Sequence, residues 1–290
     1  MKKSTVSLLF SLLPFTALLA QQEPVFSMYA KNKMNINPAF AGFNGKHEIL
    51  FSSRTFAQDI FTERATYYFA YDAYLDSINS GIGAAFLYDK YGASKTYQFS
   101  FNYQYSHWFD KDNSLRAGVL ASFISPNYEG YWIDIIGAGS NLPVTTYRDN
   151  QLLAGGGVVF TSHASYLAFS VKNISLFHLD EDRIAVDISP FYYLGGGTRY
   201  KHRPWLMLEP SALMRYSGTE VSLDVNCNFY FANIFYVGCL YRFNPHVASL
   251  LAGISLRDRF ELGFAYDMNI VRNNYRFLSM FETVMKVVIQ

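Results

Sequence analysis

The stretch "TYQFSFNYQYS" puts Tyr97, Phe99, Phe101, Tyr103 and Tyr105 on one face and Gln98, Ser100, Asn102, Gln104 and Ser106 on the other. A period of two sustained over so many residues is a strand pattern, because successive side chains of an extended chain point to opposite faces. "EVSLDVNCNFYF" repeats it with Val221, Leu223, Val225, Cys227, Phe229 and Phe231 against Ser222, Asp224, Asn226 and Asn228. "RFELGFAYDM" does so again, setting Phe260, Leu262, Phe264, Tyr266 and Met268 against Glu261, Gly263, Ala265 and Asp267.

A soluble sandwich also alternates, and three features turn the reading toward a membrane barrel. The segments run to about ten to thirteen residues, where sandwich strands average five or six and a tilted transmembrane strand needs about 9–11. The polar face carries Glu209, Arg215, Asp224, Glu261 and Asp267 in mid-strand, which a wet lumen tolerates, while the apolar face is rich in aromatics suited to interfacial girdles. Short turns, such as the one at Ala232 and Asn233, alternate with longer stretches, such as Asn127 to Asn150 and Ser175 to Ile188.

Strand spans are expected at 47–57, 64–75, 80–90, 95–108, 114–126, 150–160, 164–174, 189–200, 204–217, 219–231, 234–243, 246–256, 259–269 and 276–289. The fold class is therefore all-β: a transmembrane antiparallel β-barrel of about 14 strands over residues 47–290, behind an irregular N-terminal segment. If Val221, Leu223 and Val225 face lipid, Leu223→Arg should be damaging and Asp224→Asn, on the lumen side, tolerated.

Composition agrees with a lipid-facing chain. The 290 residues are 18% aromatic and only 16% charged, with a net charge of +1. No cluster of Lys and Arg appears, so nucleic acid is not an expected partner and outer-membrane lipid is. Residues 1–20, with Lys2 and Lys3 ahead of an apolar run ending at Ala20, read as a signal peptide; a single N-terminal membrane anchor is the alternative. Export to the cell outer membrane follows from that leader and the strands.

Catalytic and ligand motifs are not found. His47, His107, His163, His178, His202 and His246 are scattered without ligand spacing, and neither a nucleophile elbow nor a phosphate loop occurs. No enzyme, cofactor or metal is expected. The triplets Gly155 to Gly157 and Gly195 to Gly197 lie within strand patterns and point to strand bending or close backbone approach. Asp180, Glu181, Asp182 and Arg183 read as a solvated loop. Cys227 and Cys239 flank the Ala232–Asn233 turn; the reading favours two reduced cysteines, with a cross-strand disulfide as the alternative.

The segment 21–46 fits neither helix nor strand. Its "FSMYAKNKMNINPAFAGFNG", with Phe26, Ser27, Tyr29, Asn37, Pro38, Ala39, Phe40, Ala41 and Gly42, resembles the mature N-terminus of the PorP/SprF family of type IX secretion outer-membrane proteins. "GIGAAFLYDKYG", "EPSALMRYSGTEVSLDVNCNFYF" and "ELGFAYD" carry the resemblance along nearly the whole chain. It implies a non-enzymatic outer-membrane component of protein secretion in a Bacteroidota-type cell, linked in some relatives to gliding motility. Its implied partners are periplasmic components of the type IX machinery or a secreted cargo protein.

The motif residues then either contact that partner or plug the lumen, and the resemblance inclines the reading to the partner. Deleting Phe26 to Lys33 should in either case leave barrel folding largely intact. An outer-membrane pore or small-solute transporter is the alternative function, and it requires an open lumen.

Overall fold

The computed structural model describes residues 23–56, 64–92, 94–128, 147–179, 188–218, 220–256, 259–270 and 279–289. The described residues open with two short 3-10 turns, Lys33–Asn35 and Pro38–Phe40; the elements after them are strands, apart from a third 3-10 turn at Asp76–Ile78. The first half of the wall is β1 (His47–Phe56), β2 (Arg64–Leu75), β3 (Ser80–Tyr91), β4 (Ser94–Trp108), β5 (Asn113–Tyr128), β6 (Tyr147–Arg148), β7 (Gln151–Ser162) and β8 (Ser165–His178). The second half is β9 (Phe191–Thr198), β10 (Tyr200–Arg203), β11 (Leu206–Tyr216), β12 (Val221–Phe231), β13 (Phe235–Phe243), β14 (His246–Leu256), β15 (Phe260–Asn269) and β16 (Met280–Ile289).

All neighbours pair antiparallel, and β1 closes on β16 in continuous register from His47↔Ile289 to Phe56↔Met280. β9 and β10 both pair with β11 and form one wall strand interrupted at Arg199, and the two-residue β6 only extends the edge of β5. The wall is a closed barrel of 14 strands. Closure leaves no unpaired edge, which hydrocarbon does not permit.

The expected spans match closely: 64–75 and 246–256 coincide with β2 and β14. The span 189–200 is broken at Arg199, and the last strand begins at Met280 rather than 276. The expected leader 1–20, the cluster Asp180 to Arg183 and most of the two expected long loops lie outside the described residues. In the tight turn 232–234 Ala232 and Asn233 take left-handed φ values of 50° and 55°, the two positive values of a type I′ turn.

Connections at the barrel end holding His47 and Ile289 are short, at 76–79, 109–112, 163–164, 204–205, 232–234 and 257–259. The longest, 129–150, 179–190 and 270–279, lie at the other end, which also has two-residue connections at 92–93 and 244–245. Short turns mark the periplasmic side of such barrels, so β1 begins there.

The two faces sort as the alternation requires. Tyr97, Phe99, Phe101, Tyr103 and Tyr105 are exposed on the outer wall, with Phe101 at 68%, while Gln98, Asn102, Gln104 and Ser106 are buried inside. Val221, Leu223 and Val225 likewise face out, whereas Asp224, Asn226 and Asn228 face in, each 1% exposed. The register sets Cys227 directly opposite Cys239, and both are free thiols.

The interior, however, is not the wet lumen expected. Leu50, Tyr68, Leu87, Leu213, Tyr236, Leu240, Leu251 and Val284 project inward and pack with Phe26, Met28, Tyr29 and Met34 of the N-terminal segment. Several inward charges are paired: Asp224, for one, accepts from Arg242 Nε at 2.9 Å and Nη2 at 2.8 Å, and Arg215 lies 3.5 Å away.

This pairing reverses the expectation for Asp224→Asn. Removing one member of a buried pair strands the other, so the substitution should cost about 3–5 kcal/mol rather than be tolerated, and adding Arg242→Met should recover much of it. Leu223→Arg should cost more than the about 0–1 kcal/mol of Val221→Lys at the strand end, the cost rising toward about 2–4 kcal/mol at the midplane. Urea unfolding of the barrel in lipid vesicles measures all four; a silent Asp224→Asn would contradict the pairing.

Candidate functional site

The segment from Glu23 to Phe43 occupies the inside of the barrel, and the exposed Asn44 and Gly45 lead on to β1. Its conformation is written locally. Asn37 caps the second turn, its Oδ1 accepting from Ala39 N at 2.9 Å, and Pro38 follows at the first position, where a missing N–H costs nothing. Gly42, at φ +65°, turns the chain toward β1 where an added Cβ would stand 2.6 Å from Ala73 O.

Three sets of polar contacts fasten this plug to the wall. Toward the end away from the chain termini, Ser27 N and Met28 N donate to the two oxygens of Glu282 at 2.7 and 3.1 Å. There Ser27 Oγ donates to Asp267 Oδ2 at 2.8 Å, which Arg54 Nη2 also reaches at 2.5 Å. Lys172 Nζ pairs with Glu23 at 2.6 Å, and Tyr193 OH donates to the same carboxylate. At mid-height Asn37 Nδ2 donates to the backbone oxygens of Val158 and Phe169 at 3.2 and 3.0 Å, and Tyr29 OH lies 3.0 Å from Ser211 Oγ.

Nearer the periplasmic mouth Lys31 pairs with Glu261, donates to Tyr230 OH at 2.7 Å and lies 4.3 Å from the centroid of the Tyr236 ring. Lys33 sits among aromatic rings, 4.4 Å from the Tyr166 centroid, 5.6 Å from that of Phe43 and 5.8 Å from that of Phe40. Burial lowers the pKa of Lys31 despite Glu261, raises that of the Tyr29 phenol, and brings Lys33 down from 10.5 to about 8.

The wall is hollowed to take the plug backbone. A Cβ on Gly81 would stand 2.0 Å from Ala41 O, one on Gly118 2.5 Å from Ala39 N, and one on Gly157 2.2 Å from Asn37 Oδ1. Gly83 and Gly263 leave room for Met34 and Met28 in the same way, at 2.3 Å each. At Gly157, within one of the glycine triplets, the approaching group is the Asn37 side chain, whereas at Gly81 and Gly118 it is plug backbone.

All nine motif residues are therefore in one place. Phe26, Ser27, Tyr29, Asn37, Pro38, Ala39, Phe40, Ala41 and Gly42 are all buried inside the barrel, and Phe26 and Phe40 make edge contacts with Tyr68 and Tyr166 at 5.9 and 5.4 Å. The motif missed Glu23, Met28, Lys31, Lys33 and Met34, and with them Glu282, Asp267 and Lys172 of the wall. The inward glycines Gly81 and Gly83, on the same face of one strand, were the available signal.

Because Ser27 and Met28 satisfy a carboxylate that is 2% exposed, the segment Phe26 to Lys33 is part of the folded interior. The expectation that it can be removed without harm to folding is accordingly revised. Among the described residues no cluster of three metal-ligating side chains occurs, and no helix is long and apolar enough to cross a membrane.

Gly81→Ala and Gly118→Ala should each cost about 1–3 kcal/mol by overpacking and open Lys31 and Lys33 to trypsin, while Gly156→Ala, with its nearest neighbour at 3.5 Å, should do neither. Equal behaviour of the three in thermal gel-shift and trypsin assays would contradict the fit. Lys33 gives a pH effect. Between pH 8 and 10.5 the released segment holds a proton that the seated one has lost, so plug stability should rise with pH across that window and be level below it, where both states hold the proton. The thermal transition of Lys33→Met should lack this rise.

Several solved structures share the architecture. The Ralstonia pickettii toluene transporter TbuX superposes with a TM-score of 0.57 at 10% identity, over 89% of this chain and 93% of that one. The CymD monoaromatic hydrocarbon channel gives 0.55 at 11% identity, over 89% and 91%, and the Pseudomonas putida toluene transporter TodX 0.53 at 11%, over 89% and 93%. At such identities the likeness shows the fold alone, that of an outer-membrane barrel. No curated protein matches the chain. A family model does, over residues 18–282, and on that match the chain belongs to the PorP/SprF family of type IX secretion system membrane proteins.

Proposed function

We propose that this chain is a sealed, non-enzymatic docking component of type IX secretion in the outer membrane. In this reading it conducts no solute, and its periplasmic face holds a component of the secretion machinery or a secreted cargo protein at the membrane. The observation that carries the reading is the fit between plug and wall: backbone atoms of Ala39 and Ala41 lie where Gly118 and Gly81 lack side chains. A segment moulded to its barrel over that length fills the lumen, which supports a sealed barrel over an open channel. Family membership supports the secretion context. The nine motif residues then serve as the keystone of the plug, and partner contact falls to the rim around it.

The second reading, a small-solute transporter, is favoured by one observation, the architecture shared with the toluene transporters and the hydrocarbon channel. Two measurements separate the readings. The purified barrel in planar bilayers should show no stepwise conductance and vesicles containing it should not take up toluene, whereas deletion of the gene should stop secretion of a type IX cargo and the tagged protein should retain secretion components from native membranes. Conductance or toluene uptake with secretion unchanged would establish the transporter and overturn the docking role.

A further inference from the structure

Against the foot of the plug, beside the periplasmic mouth, lies a cavity of about 70 Å³, room for a few water-sized groups. The plug bounds it with Ala30 to Met34, Phe40, Phe43 and Asn44, and the wall with Glu48, Leu50, Ala70, Asp72, Arg199, Glu261 and Lys286. Three of its cations are matched: Lys286 with Glu48 at 2.7 Å, Lys31 with Glu261, and Arg199 with Glu209 at 3.0 Å. The fourth, Lys33, is not. Among the described residues its Nζ has neither an ion pair nor a hydrogen bond, and it rests on the rings of Phe40, Phe43 and Tyr166. Glu209, whose charge favours the protonated amine, is already held by Arg199 and by Tyr230 OH.

Two more donors at the plug foot lack acceptors. Asn32, 4% exposed, leaves Nδ2 unbonded. Arg116, 6% exposed, stands 4.6 Å from the centroid of the same Phe43 ring, donates to Phe43 O across 3.4 Å and leaves Nε unbonded. No carboxylate among the described residues pairs with it. Asp72 in turn has no paired cation and accepts from Gly42 N at 2.9 Å. Even with Asp72 ionised, five cations, Lys31, Lys33, Arg116, Arg199 and Lys286, stand against four carboxylates, Glu48, Asp72, Glu209 and Glu261.

We propose that this cavity binds a small monovalent anion, of the halide class, which completes the seating of the plug. The inference goes beyond the docking reading and holds for a docking barrel and for a transporter alike. An anion beside Lys33 gives the buried ammonium the counterion it lacks and, with rotation of the Asn32 amide, gives Nδ2 an acceptor. Charge and size select the class. The surplus is one charge, and Glu48, Asp72 and Glu261 line the same cavity, so a phosphate or sulfate dianion would meet repulsion that a halide largely escapes. Entry is from the periplasm, because Lys31, Asn44, Glu48, Arg199, Glu261 and Lys286 also line the larger mouth cavity of about 470 Å³. With Lys33 brought down to about 8 by burial, the seated amine is charged, and the ion held, below that pH and not above it.

The test uses the full barrel in detergent, with chloride exchanged for gluconate, an anion too large for the cavity, at constant ionic strength so that general screening is unchanged. Well below pH 8, chloride should raise the thermal transition read by gel shift by a few degrees, and saturably. Well above pH 8 that response should fade. Lys33→Met should abolish it, Lys33→Arg should keep it, and Lys111→Gln, on an exposed periplasmic turn, should leave it unchanged. A crystal of the parent grown in bromide should show an anomalous peak inside the cavity beside Lys33. Equal stabilisation by gluconate, an undiminished response in Lys33→Met, a response of the same size on both sides of pH 8, or cavity density without a bromide signal would each overturn the proposal, the last in favour of ordered water.

Discussion

A strand edge in hydrocarbon has no water to satisfy its N–H and C=O groups, and the pairing of β1 with β16 along its whole length removes the last such edge in this chain. Much of the rest follows from that closure. Fourteen strands closed on themselves enclose more space than their own inward side chains fill, since small barrels of about eight strands are the ones that pack solid. The chain meets the surplus with its own N-terminal segment, folded in two short turns and laid against the wall.

Filling a lumen this way sets a second constraint. The inward face carries charges, and a plug that excludes water from them must supply partners or leave them stranded. Ser27 and Met28 supply donors to Glu282, Glu23 supplies the counterion of Lys172, and Lys31 that of Glu261. The plug and the wall thus share one electrostatic network, and neither half is complete alone. Glycines at Gly81, Gly118 and Gly157 do the same for shape, removing side chains where plug atoms approach.

In the docking reading such a barrel is sealed rather than a pore. Its interior is spent on holding itself together, and what remains available to another molecule is the outer wall, the loops and the mouth beneath the plug. In that reading a partner would be held at the periplasmic rim.

The sequence by itself determined the barrel. Alternation on β4 and β12 sorted lipid from lumen residue by residue, strand length matched the membrane, and turn chemistry at Ala232 and Asn233 placed a hairpin, because each of these is a local property of a few consecutive residues. It also marked Phe26 to Gly42 as irregular and distinct. Only the tertiary structure decided where that segment goes. The partners of Ser27 and Glu23 lie far along the chain, at Glu282, Asp267 and Lys172, and no spacing in the sequence encodes a contact between a turn and strands so distant. The same distance hid the role of Asp224, which reads as a solvated lumen carboxylate until Arg242, on the next strand, is seen to hold it. Periodicity is set by the backbone, whereas the filling of a closed lumen depends on which side chains closure brings face to face.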